Sequence, residues 1–191
     1  FRRLDTLALD QMSVVCGCGG GSAIVSHLPV LLKSSKNLVL DADALNAIAQ
    51  SAPLQELLWA RGHQRQTTVL TPHPLEAARL LTCSAAEIQG NRLSCAEQLA
   101  QRFACTVVLK GSGTVITEPG KTPVINPTGN ARLATAGTGD VLAGLIGARL
   151  ATGLNGFDAA CRAVYQHGRV ADLWPPGLAL TASRQAQALT A

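Results

Sequence analysis

The chain has 191 residues, which fits one domain over residues 1–191 because a domain usually takes about 150 residues. Hydrophobic residues make up 47% and charged residues 15%, a balance that supports a large buried core and excludes an intrinsically disordered chain. The formal net charge is +4, but the 16 lysines and arginines are scattered with no run longer than the pair Arg2–Arg3, so we expect no nucleic-acid partner.

The first half of the chain alternates short apolar runs with helical patterns, as in a parallel sheet whose strands are joined by helices. Three predicted strands each lead into a polar or glycine-rich cluster and then into a helix. In chain order they are the strand 14–15 with a helix over 22–32, the strand 38–40 with a helix after Leu45, and the strand 68–70 with a helix over 75–81. Prolines stand between the third strand and the helix over 75–81. Proline ends a strand and fits the first turn of a helix, so their position supports this boundary.

The second half is predicted to complete the sheet and to cover it. A helix that begins at Asn91 or Ser94 and ends near Phe103 leads into a strand over 106–109. A hairpin and three helices follow, with strands 115–117 and 123–125 and helices over 138–152, 157–173 and 181–189. These elements predict an α/β fold of three layers, αβα, in which helices lie on both faces of a mostly parallel sheet.

Three further features limit the class of protein. The six cysteines form no C-x-x-C pair, so we expect buried free thiols and neither a zinc site nor a redox motif. No run approaches the roughly 18 to 20 apolar residues of a membrane span, and acids stand near the start, where a signal peptide needs an apolar run. We therefore expect a cytoplasmic protein with no membrane partner. The chain opens on Phe1 and not on Met, which indicates a piece of a longer polypeptide.

Polar or glycine-rich clusters follow the predicted strands, and ligands of open α/β sheets bind at that edge. The strongest cluster lies in the segment 126–144, which opens a helix. Gly137 and Gly139 lack a Cβ, so their amides can approach a phosphoryl group, and the helix starting near Thr138 directs unpaired N–H groups to the same place. These residues predict an anion hole. Asp140 can accept a proton from an alcohol that attacks phosphorus, and the alternative is an ordinary acid in a first helical turn.

Three more acids stand beside predicted strand ends. Asp41 and Asp43 follow the second strand, where carboxylates either approach Mg²⁺ through water or cap the next helix. We expect Asp43 to act as a cap and leave both roles open for Asp41. Glu76 lies in the first helical turn after the third strand. There it could hold a magnesium-bound water or orient a phosphate, and the alternative is a solvated acid at a helix start.

Four motifs carry a resemblance to a known family. The string Gly137-Thr-Gly-Asp140 before an apolar helix resembles the G-x-G-D signature of ribokinase-like kinases. With the rest of the segment 126–144, the other strings are similar to those of one branch, the NAD(P)H-hydrate dehydratases: Asp41-Ala-Asp-Ala-Leu-Asn46, Thr71-Pro-His-Pro74 with Glu76, and Lys110-Gly-Ser-Gly-Thr114. The resemblance runs from about Val14 to the end and implies a ribokinase-like fold.

The resemblance also implies a cofactor-repair enzyme that removes water from NADHX or NADPHX and uses an adenine nucleotide. In that reaction the ring hydroxyl is phosphorylated, and loss of phosphate restores the dihydropyridine ring of NADH or NADPH. Bacterial members of the family characteristically use ADP and eukaryotic members ATP. We therefore expect ADP or ATP with Mg²⁺ as co-substrate and cofactor, and the residues themselves do not choose between the two nucleotides.

The family's site residues carry over by matching positions. Asp140 corresponds to the base and to a substrate contact, and His73, Gly19 and Gly21 correspond to further substrate contacts. The family's nucleotide-binding residues match Gly139 and the run Lys110, Gly111, Ser112, Gly113 and Thr114. Without the family, His73 fits a loop histidine, the glycines fit a flexible turn, and the Lys110 segment fits a strand-end turn equally well.

The chain departs from the family pattern in several places. Cys18 replaces a proline in the glycine loop, Ala136 precedes the Gly-Thr-Gly-Asp string, and Leu75 replaces a glycine, so we expect Leu75 to narrow the pocket beside His73. An opening block of strands is missing, so we expect an incomplete domain with an exposed sheet edge that forms a homo-oligomer. Two alternatives remain: a ribokinase-like kinase of a small alcohol such as a hydroxymethylpyrimidine or thiazole, and a catalytically silent nucleotide-binding fragment.

Overall fold

The computed structural model describes residues 4–64 and 66–190, and one six-stranded sheet runs through this part of the chain. The strands lie in sequence order: β1 (Ser13–Cys16), β2 (Asn37–Leu40), β3 (Thr67–Leu70), β4 (Thr106–Leu109), β5 (Val115–Thr117) and β6 (Val124–Ile125). The first four strands are parallel, and β5 and β6 join them as an antiparallel hairpin. The predicted hairpin is thus confirmed.

Helices precede, separate and follow these strands. The first group is α1 (Leu28–Ser34), α2 (Ala42–Ala49), α3 (Ala52–His63), α4 (Pro74–Leu81), α5 (Ala85–Gly90) and α6 (Arg92–Phe103). The second group follows the hairpin and consists of α7 (Thr138–Ala151), α8 (Gly156–Asp172) and α9 (Ala182–Thr190). In the described residues no helix combines the length and the apolar character that a membrane span requires.

The two groups of helices cover opposite faces of the sheet. Because side chains alternate along a strand, Leu38 and Leu40 of β2 pack with the first group, whereas Val39 packs with α7 and α8. The near-continuous apolar strands reflect this burial on both faces. The predicted fold class is therefore confirmed: three layers, αβα, with a mostly parallel sheet.

Several boundaries differ from the sequence prediction. The helix predicted over 22–32 is instead a 3₁₀ turn at Gly21–Ser26 followed by α1, because Pro29 occupies the first turn of a new helix. Helices α3 and α5 were not predicted. The inward face of α3 includes Arg61, which is 1% exposed. Because arginine is polar, this buried face does not look apolar in the sequence, and the helix shows no amphipathic pattern.

One edge of the sheet is the strand β1, which pairs only with β2 in the described chain. Met12 and Val15 lie at this edge and are 42% and 38% exposed. Exposed apolar side chains on an edge strand favour association. The homo-oligomer and the single domain over residues 1–191 stay predictions. All six cysteines are free, as expected, although three of them are only partly buried.

The buried Arg61 guanidinium ties α3 to the rest of the first helical layer. It donates to the carbonyls of Leu31, Leu32 and Thr67 and to the side chains of Thr68 and Gln66. Burial lowers the pKa of the guanidinium to about 10, so it remains charged at neutral pH. Neutral acceptors therefore compensate a buried cation.

We predict that Arg61→Met lowers the free energy of unfolding by about 3 kcal/mol, because the substitution leaves buried carbonyls without a donor. Chemical denaturation measures the change. The control is Arg79→Met, which removes an exposed arginine and should change stability by less than about 0.5 kcal/mol. Equal losses in the two variants would contradict the prediction.

Candidate functional site

The carboxyl ends of the four parallel strands meet at one edge, and backbone hydrogen bonds continue beyond the strands. Asp41 N donates to Cys16 O over 3.0 Å, Thr71 N to Leu40 O over 3.1 Å, and Lys110 N to Pro72 O over 2.8 Å. The loops after β1 to β4 are therefore held side by side. The first turn of α7 meets them, since Gly139 lies close to both Lys110 and Asp41.

A cavity of about 690 Å³ opens on one side of this edge. Its wall includes every residue predicted to bind a nucleotide: Lys110, Gly111, Ser112, Gly113, Thr114 and Gly139. The segment 126–131, Leu133, Ala134 and residues of α7 and α8 form the rest of the wall. This size is ordinary for a small-molecule site. The structure thus brings together two motifs that lie far apart in the sequence.

The first turn of α7 has the geometry expected of an anion hole. Gly137 is the N-cap and has φ of 86°, a left-handed conformation that favours glycine. In the described chain the amides of Gly139 and Asp140 have no protein acceptor, as expected in a first helical turn. The Thr138 hydroxyl donates to the carbonyls of Leu133 and Thr135 and fixes the preceding loop. Thr138 and Gly139 line the cavity, whereas Gly137 does not.

His167 of α8 braces the same turn from inside the protein. Its Nε2 lies 2.9 Å from the Thr138 carbonyl, so Nε2 carries the proton and donates. Burial lowers the pKa of this imidazole, which keeps it neutral at neutral pH. The sequence prediction missed His167. The only signal was a histidine on the apolar stripe of an amphipathic helix, with Ala163 and Val164 one turn before it.

Arg92, the first residue of α6, supports the outer side of the loop after β4. One nitrogen, Nη2, lies within donating distance of the carbonyls of Leu109, Lys110 and Gly113, at 3.0, 3.3 and 3.4 Å. Arg92 therefore restrains the conformation of this loop. Arg92 was also missed, because an arginine in a first helical turn carries no signal for a contact 17 to 21 residues away.

A second group of polar atoms lies next to the cavity. The Cys18 thiol and the carboxylates of Asp41 and Asp140 lie within 4.8 Å of one another. Cys18 is half-buried, Asp41 is buried and Asp140 is exposed. Asp140 therefore lies at this edge of the sheet, in the first turn of α7. The thiol is a soft ligand, so this trio as a whole does not suit Mg²⁺, which prefers oxygen.

The predicted substrate loop, residues 17–21, lies beside this group. A Cβ on Gly17 would come 1.9 Å from the Asp41 carbonyl oxygen, so only glycine fits there. Gly19 and Gly21 have left-handed φ and open space around the Cα. The Asp43 carboxylate accepts from Gly21 N over 2.8 Å, so the prediction that Asp43 caps its own helix is wrong. The carboxylate binds the amide of the glycine loop instead of an amide of α2.

Asp41 is the most connected residue of the site. Its Oδ1 accepts from Lys110 Nζ over 2.6 Å and from the Thr71 hydroxyl over 2.8 Å. The Cys18 thiol lies 3.8 Å from Oδ2. Asp41 occupies the N-cap position of α2, yet its side chain makes no capping bond. Of the two roles left open by the sequence, the structure supports neither a cap nor a free metal ligand, and it pairs the carboxylate with Lys110.

His73 and Glu76 form a reciprocal cap at the start of α4. His73 Nδ1 accepts from the amides of Leu75 and Glu76, while Glu76 Oε2 accepts from His73 N. Glu76 Oε1 lies 3.2 Å from His73 Nε2, and Glu76 is 3% exposed. Glu76 is neither a solvated acid nor a member of the trio of possible metal ligands in the described chain. The cap occupies both of its oxygens.

The other departures from the family pattern have mild structural consequences. Leu75 is 55% exposed, so its side chain extends into solvent, and no narrowing of the cavity follows from it. Ala136 is also exposed. Cys18, in contrast, contacts the site directly through Asp41. Of the three replacements, only Cys18 changes the chemistry of the edge.

Comparisons with known proteins agree with the motifs. A family model described as NAD(P)H-hydrate dehydratase matches residues 5–189. The chain is 45% identical over 175 residues to an ADP-dependent (S)-NAD(P)H-hydrate dehydratase of Neisseria meningitidis, covering 88% of this chain and 58% of that protein. It is 46% identical over 138 residues to a bifunctional NAD(P)H-hydrate repair enzyme of Escherichia coli, covering 72% of this chain and 25% of that protein.

Solved structures give the same picture. An ADP/ATP-dependent NAD(P)H-hydrate dehydratase from Bacillus subtilis, co-crystallised with ATP/Mg²⁺, superposes with a TM-score of 0.77 and 31% identity, covering 92% of this chain and 61% of that one. A hydroxyethylthiazole kinase from Pyrococcus horikoshii has a TM-score of 0.63 at 18% identity and covers 90% of this chain and 68% of that one, a likeness of fold alone. The chain thus spans between a quarter and three fifths of the two sequence relatives.

The charge around Cys18 leads to a prediction about its reactivity. Burial and the carboxylates of Asp41 and Asp140 raise the pKa of the thiol to about 12, so the reactive thiolate is scarce at neutral pH. We predict that iodoacetamide modifies Cys18 about a hundredfold more slowly than free cysteine, with a rate that rises as the pH approaches that pKa. Peptide mass spectrometry measures the modification. Modification of Cys18 as fast as free cysteine would contradict the prediction.

Proposed function

Because the chain belongs to the NAD(P)H-hydrate dehydratase family, we propose that it removes water from NADHX or NADPHX in a nucleotide-dependent reaction. The observation that carries the proposal is the position of the Asp140 carboxylate, beside two free helix amides and next to a cavity of nucleotide size. A relative that is 45% identical is named ADP-dependent, which favours ADP over ATP.

The nucleotide occupies the 690 Å³ cavity in this proposal. The loop Lys110 to Thr114 supplies backbone approach at Gly111 and Gly113, which both have left-handed φ. Arg92 donates to three carbonyls of the loop, and its positive charge there reduces their electrostatic repulsion of an anionic ligand. The terminal phosphate then meets the amides of Gly139 and Asp140, where the helix dipole favours negative charge.

Substrate lies on the other side of Asp140. Gly19 and Gly21 leave open space above the loop after β1, and His73 stands at the start of α4 with its side chain 43% exposed. Because His73 Nδ1 is used by the helix cap, Nε2 carries the proton, and this N–H donates to a bound substrate only by sharing or leaving its contact with Glu76 Oε1. The hydrated ring is held between these groups with its hydroxyl toward Asp140.

The first chemical step is phosphoryl transfer. Asp140 accepts the proton of the ring hydroxyl as that oxygen forms a bond to the terminal phosphorus, and the bond from phosphorus to the bridging oxygen of the nucleotide breaks. The amides of Gly139 and Asp140 stabilise the charge on the phosphoryl oxygens. The nucleotide leaves with one phosphate fewer and keeps the electron pair of the broken bond.

The second step is elimination. Phosphate is a better leaving group than hydroxide, so the ring nitrogen can donate its lone pair and expel phosphate from the neighbouring carbon. Loss of a proton from the next ring carbon then restores the double bond and the nitrogen lone pair. The sum is NAD(P)HX plus ADP giving NAD(P)H, AMP and phosphate, which explains why a dehydratase has the fold of a kinase.

Mg²⁺ is part of the proposal only in a limited way. When bound, the ion neutralises phosphate charge, as in other phosphoryl transfers. Asp140 is the exposed carboxylate that fits an oxygen-preferring ion beside the nucleotide phosphates, whereas the Glu76 oxygens are taken by the cap at His73. The expected water-mediated ligand Glu76 is therefore not part of the proposed metal site.

We predict that Asp140→Asn reduces turnover about a thousandfold, because an amide cannot accept the hydroxyl proton. The assay follows the return of dihydronicotinamide absorbance from NADHX with ADP and Mg²⁺. Nucleotide affinity should change by less than about threefold, since the amides of the first turn remain. Asp158→Asn is the matched control, because Asp158 is also an exposed acid in a first helical turn, that of α8.

The same assay separates the alternatives. If the Asp140→Asn variant turns over NADHX at the wild-type rate, the proposed role of the Asp140 carboxylate is contradicted. Nucleotide-induced thermal stabilisation without turnover supports a silent binding fragment. Transfer of phosphate to a hydroxymethylpyrimidine or thiazole alcohol, with no reaction of NADHX, supports a kinase.

A second prediction concerns Arg92. Arg92→Leu leaves the carbonyls of Leu109, Lys110 and Gly113 without their donor, so the loop loses its fixed orientation. We expect the Kd for ADP to rise about tenfold, with little change in the KM for NADHX. Isothermal titration calorimetry and initial rates measure the two quantities. Arg184→Leu, an exposed arginine on α9, is the control, and equal weakening of both ligands by Arg92→Leu would contradict the prediction.

A further inference from the structure

We propose that Asp41 and Thr71 are positioning residues that hold the Lys110 ammonium between the nucleotide cavity and Asp140, where it accompanies the phosphoryl group during transfer. The inference rests on the proposed function. It assigns a task to Asp41 and Thr71, which the family resemblance left without one. The juxtaposition of Asp41, Lys110 and Gly139 carries it.

The Asp41 carboxylate is directed into the site against its local preference. It stands at the N-cap of α2, where an aspartate normally accepts from the helix amides, yet it makes no such bond. The next residue, Ala42, has φ of 42°, a left-handed conformation that is unfavourable for alanine. Strained backbone of this kind is found where the surrounding structure needs a particular side-chain direction. Here that direction leads to Lys110.

The carboxylate is buried and fully engaged. Asp41 is 1% exposed and Thr71 is 0% exposed. Lys110 Nζ and the Thr71 hydroxyl both donate to Oδ1, at 2.6 and 2.8 Å. A buried charge needs such partners, and two donors on one oxygen fix its orientation. The Lys110 ammonium is accordingly held by a buried carboxylate that cannot turn toward solvent.

The ammonium itself remains open to a ligand. Its side chain is 20% exposed and lines the cavity, and an ammonium has three donors of which Asp41 Oδ1 uses one. A Cβ on Gly139 would lie 3.6 Å from Nζ and 4.0 Å from Asp41 Oδ2. Glycine at this position therefore leaves Nζ uncovered next to the amides of the first turn. A phosphate bound at those amides meets Lys110.

The arrangement also balances charge along the transfer path. The carboxylates of Asp41 and Asp140 lie within 4.8 Å of each other, so an anionic phosphoryl group bound at the first turn of α7 would lie near two negative charges. Lys110 neutralises Asp41, so Asp140 alone keeps the negative charge that a base requires. Because Lys110 touches both the cavity and the acid pair, its charge stays near the phosphorus before and after transfer.

The experiment is a double-mutant cycle on Asp41 and Lys110. Asp41→Asn keeps the size of the side chain and an acceptor for Thr71, and removes only the anchor charge. We expect kcat to fall about fiftyfold in Asp41→Asn and at least as far in Lys110→Met, with no further loss in the double variant. Thr71→Val removes one of the two donors and should reduce kcat about fivefold. Glu118→Gln, which removes the anion of the separate Glu118–Lys121 pair, is the control and should leave kcat unchanged.

A binding measurement distinguishes failure of this inference from failure of the proposed function. Wild-type protein should bind ADP at least tenfold more tightly than AMP, because Lys110 meets the terminal phosphate. That ratio should fall at least fivefold in Asp41→Asn, in Lys110→Met and in the double variant, while unchanged AMP affinity shows that the site remains folded. Suppose that the variants show the lower ADP-to-AMP ratio but that the wild-type protein does not turn over NADHX. This result would contradict the proposed function and support the placement of Lys110.

Two results would overturn the inference. One is wild-type kcat and an unchanged ADP-to-AMP ratio in Asp41→Asn. The other is a double variant whose losses multiply, since Asp41 would then act independently of Lys110. A role of Asp41 in folding alone would lower the thermal stability and the active fraction, and it would leave the ADP-to-AMP ratio of the folded protein unchanged.

Discussion

The site depends on the point where α7 begins. A helix has no internal acceptors for its first amides, and those of Gly139 and Asp140 face the ligand edge because Gly137 adopts a left-handed conformation just before them. The turn is held from two sides, by the Thr138 hydroxyl toward the preceding loop and by His167 from α8. An anion can bind there without rearrangement of the backbone, because folding has already ordered this turn.

The charges of the site are arranged in layers around that turn. The inner layer is the neutral His167, whose burial favours the uncharged imidazole. The middle layer is the Asp41–Lys110 pair, and the outer layer is the exposed Asp140. In the described part of the chain, the cavity wall carries the Lys110 ammonium, which is paired with Asp41, and the Gly139 amide, which has no protein acceptor.

The sequence predicted those parts of the protein in which a short string determines its own conformation. The Gly137 to Asp140 turn, the glycine loop and the Lys110 to Thr114 segment follow this rule, and the parallel sheet follows from apolar runs at regular intervals. The residues that were missed act across long separations. Arg92 contacts a loop 17 to 21 residues away, and His167 contacts Thr138 over 29 residues. Local patterns carry no record of such contacts, because any buried residue of similar size gives the same periodicity.

The turn between β2 and α2 joins the two halves of the site. The backbone of Asp41 packs against Gly17 so closely that a Cβ there would come 1.9 Å from the Asp41 carbonyl, and Asp43 accepts from Gly21 N at the far end of the same loop. The side chain of Asp41 simultaneously holds Lys110. A displacement of the glycine loop by substrate would therefore act on the same turn that anchors the ammonium. The start of α2 therefore contacts the loop after β1 directly and the loop after β4 through Lys110.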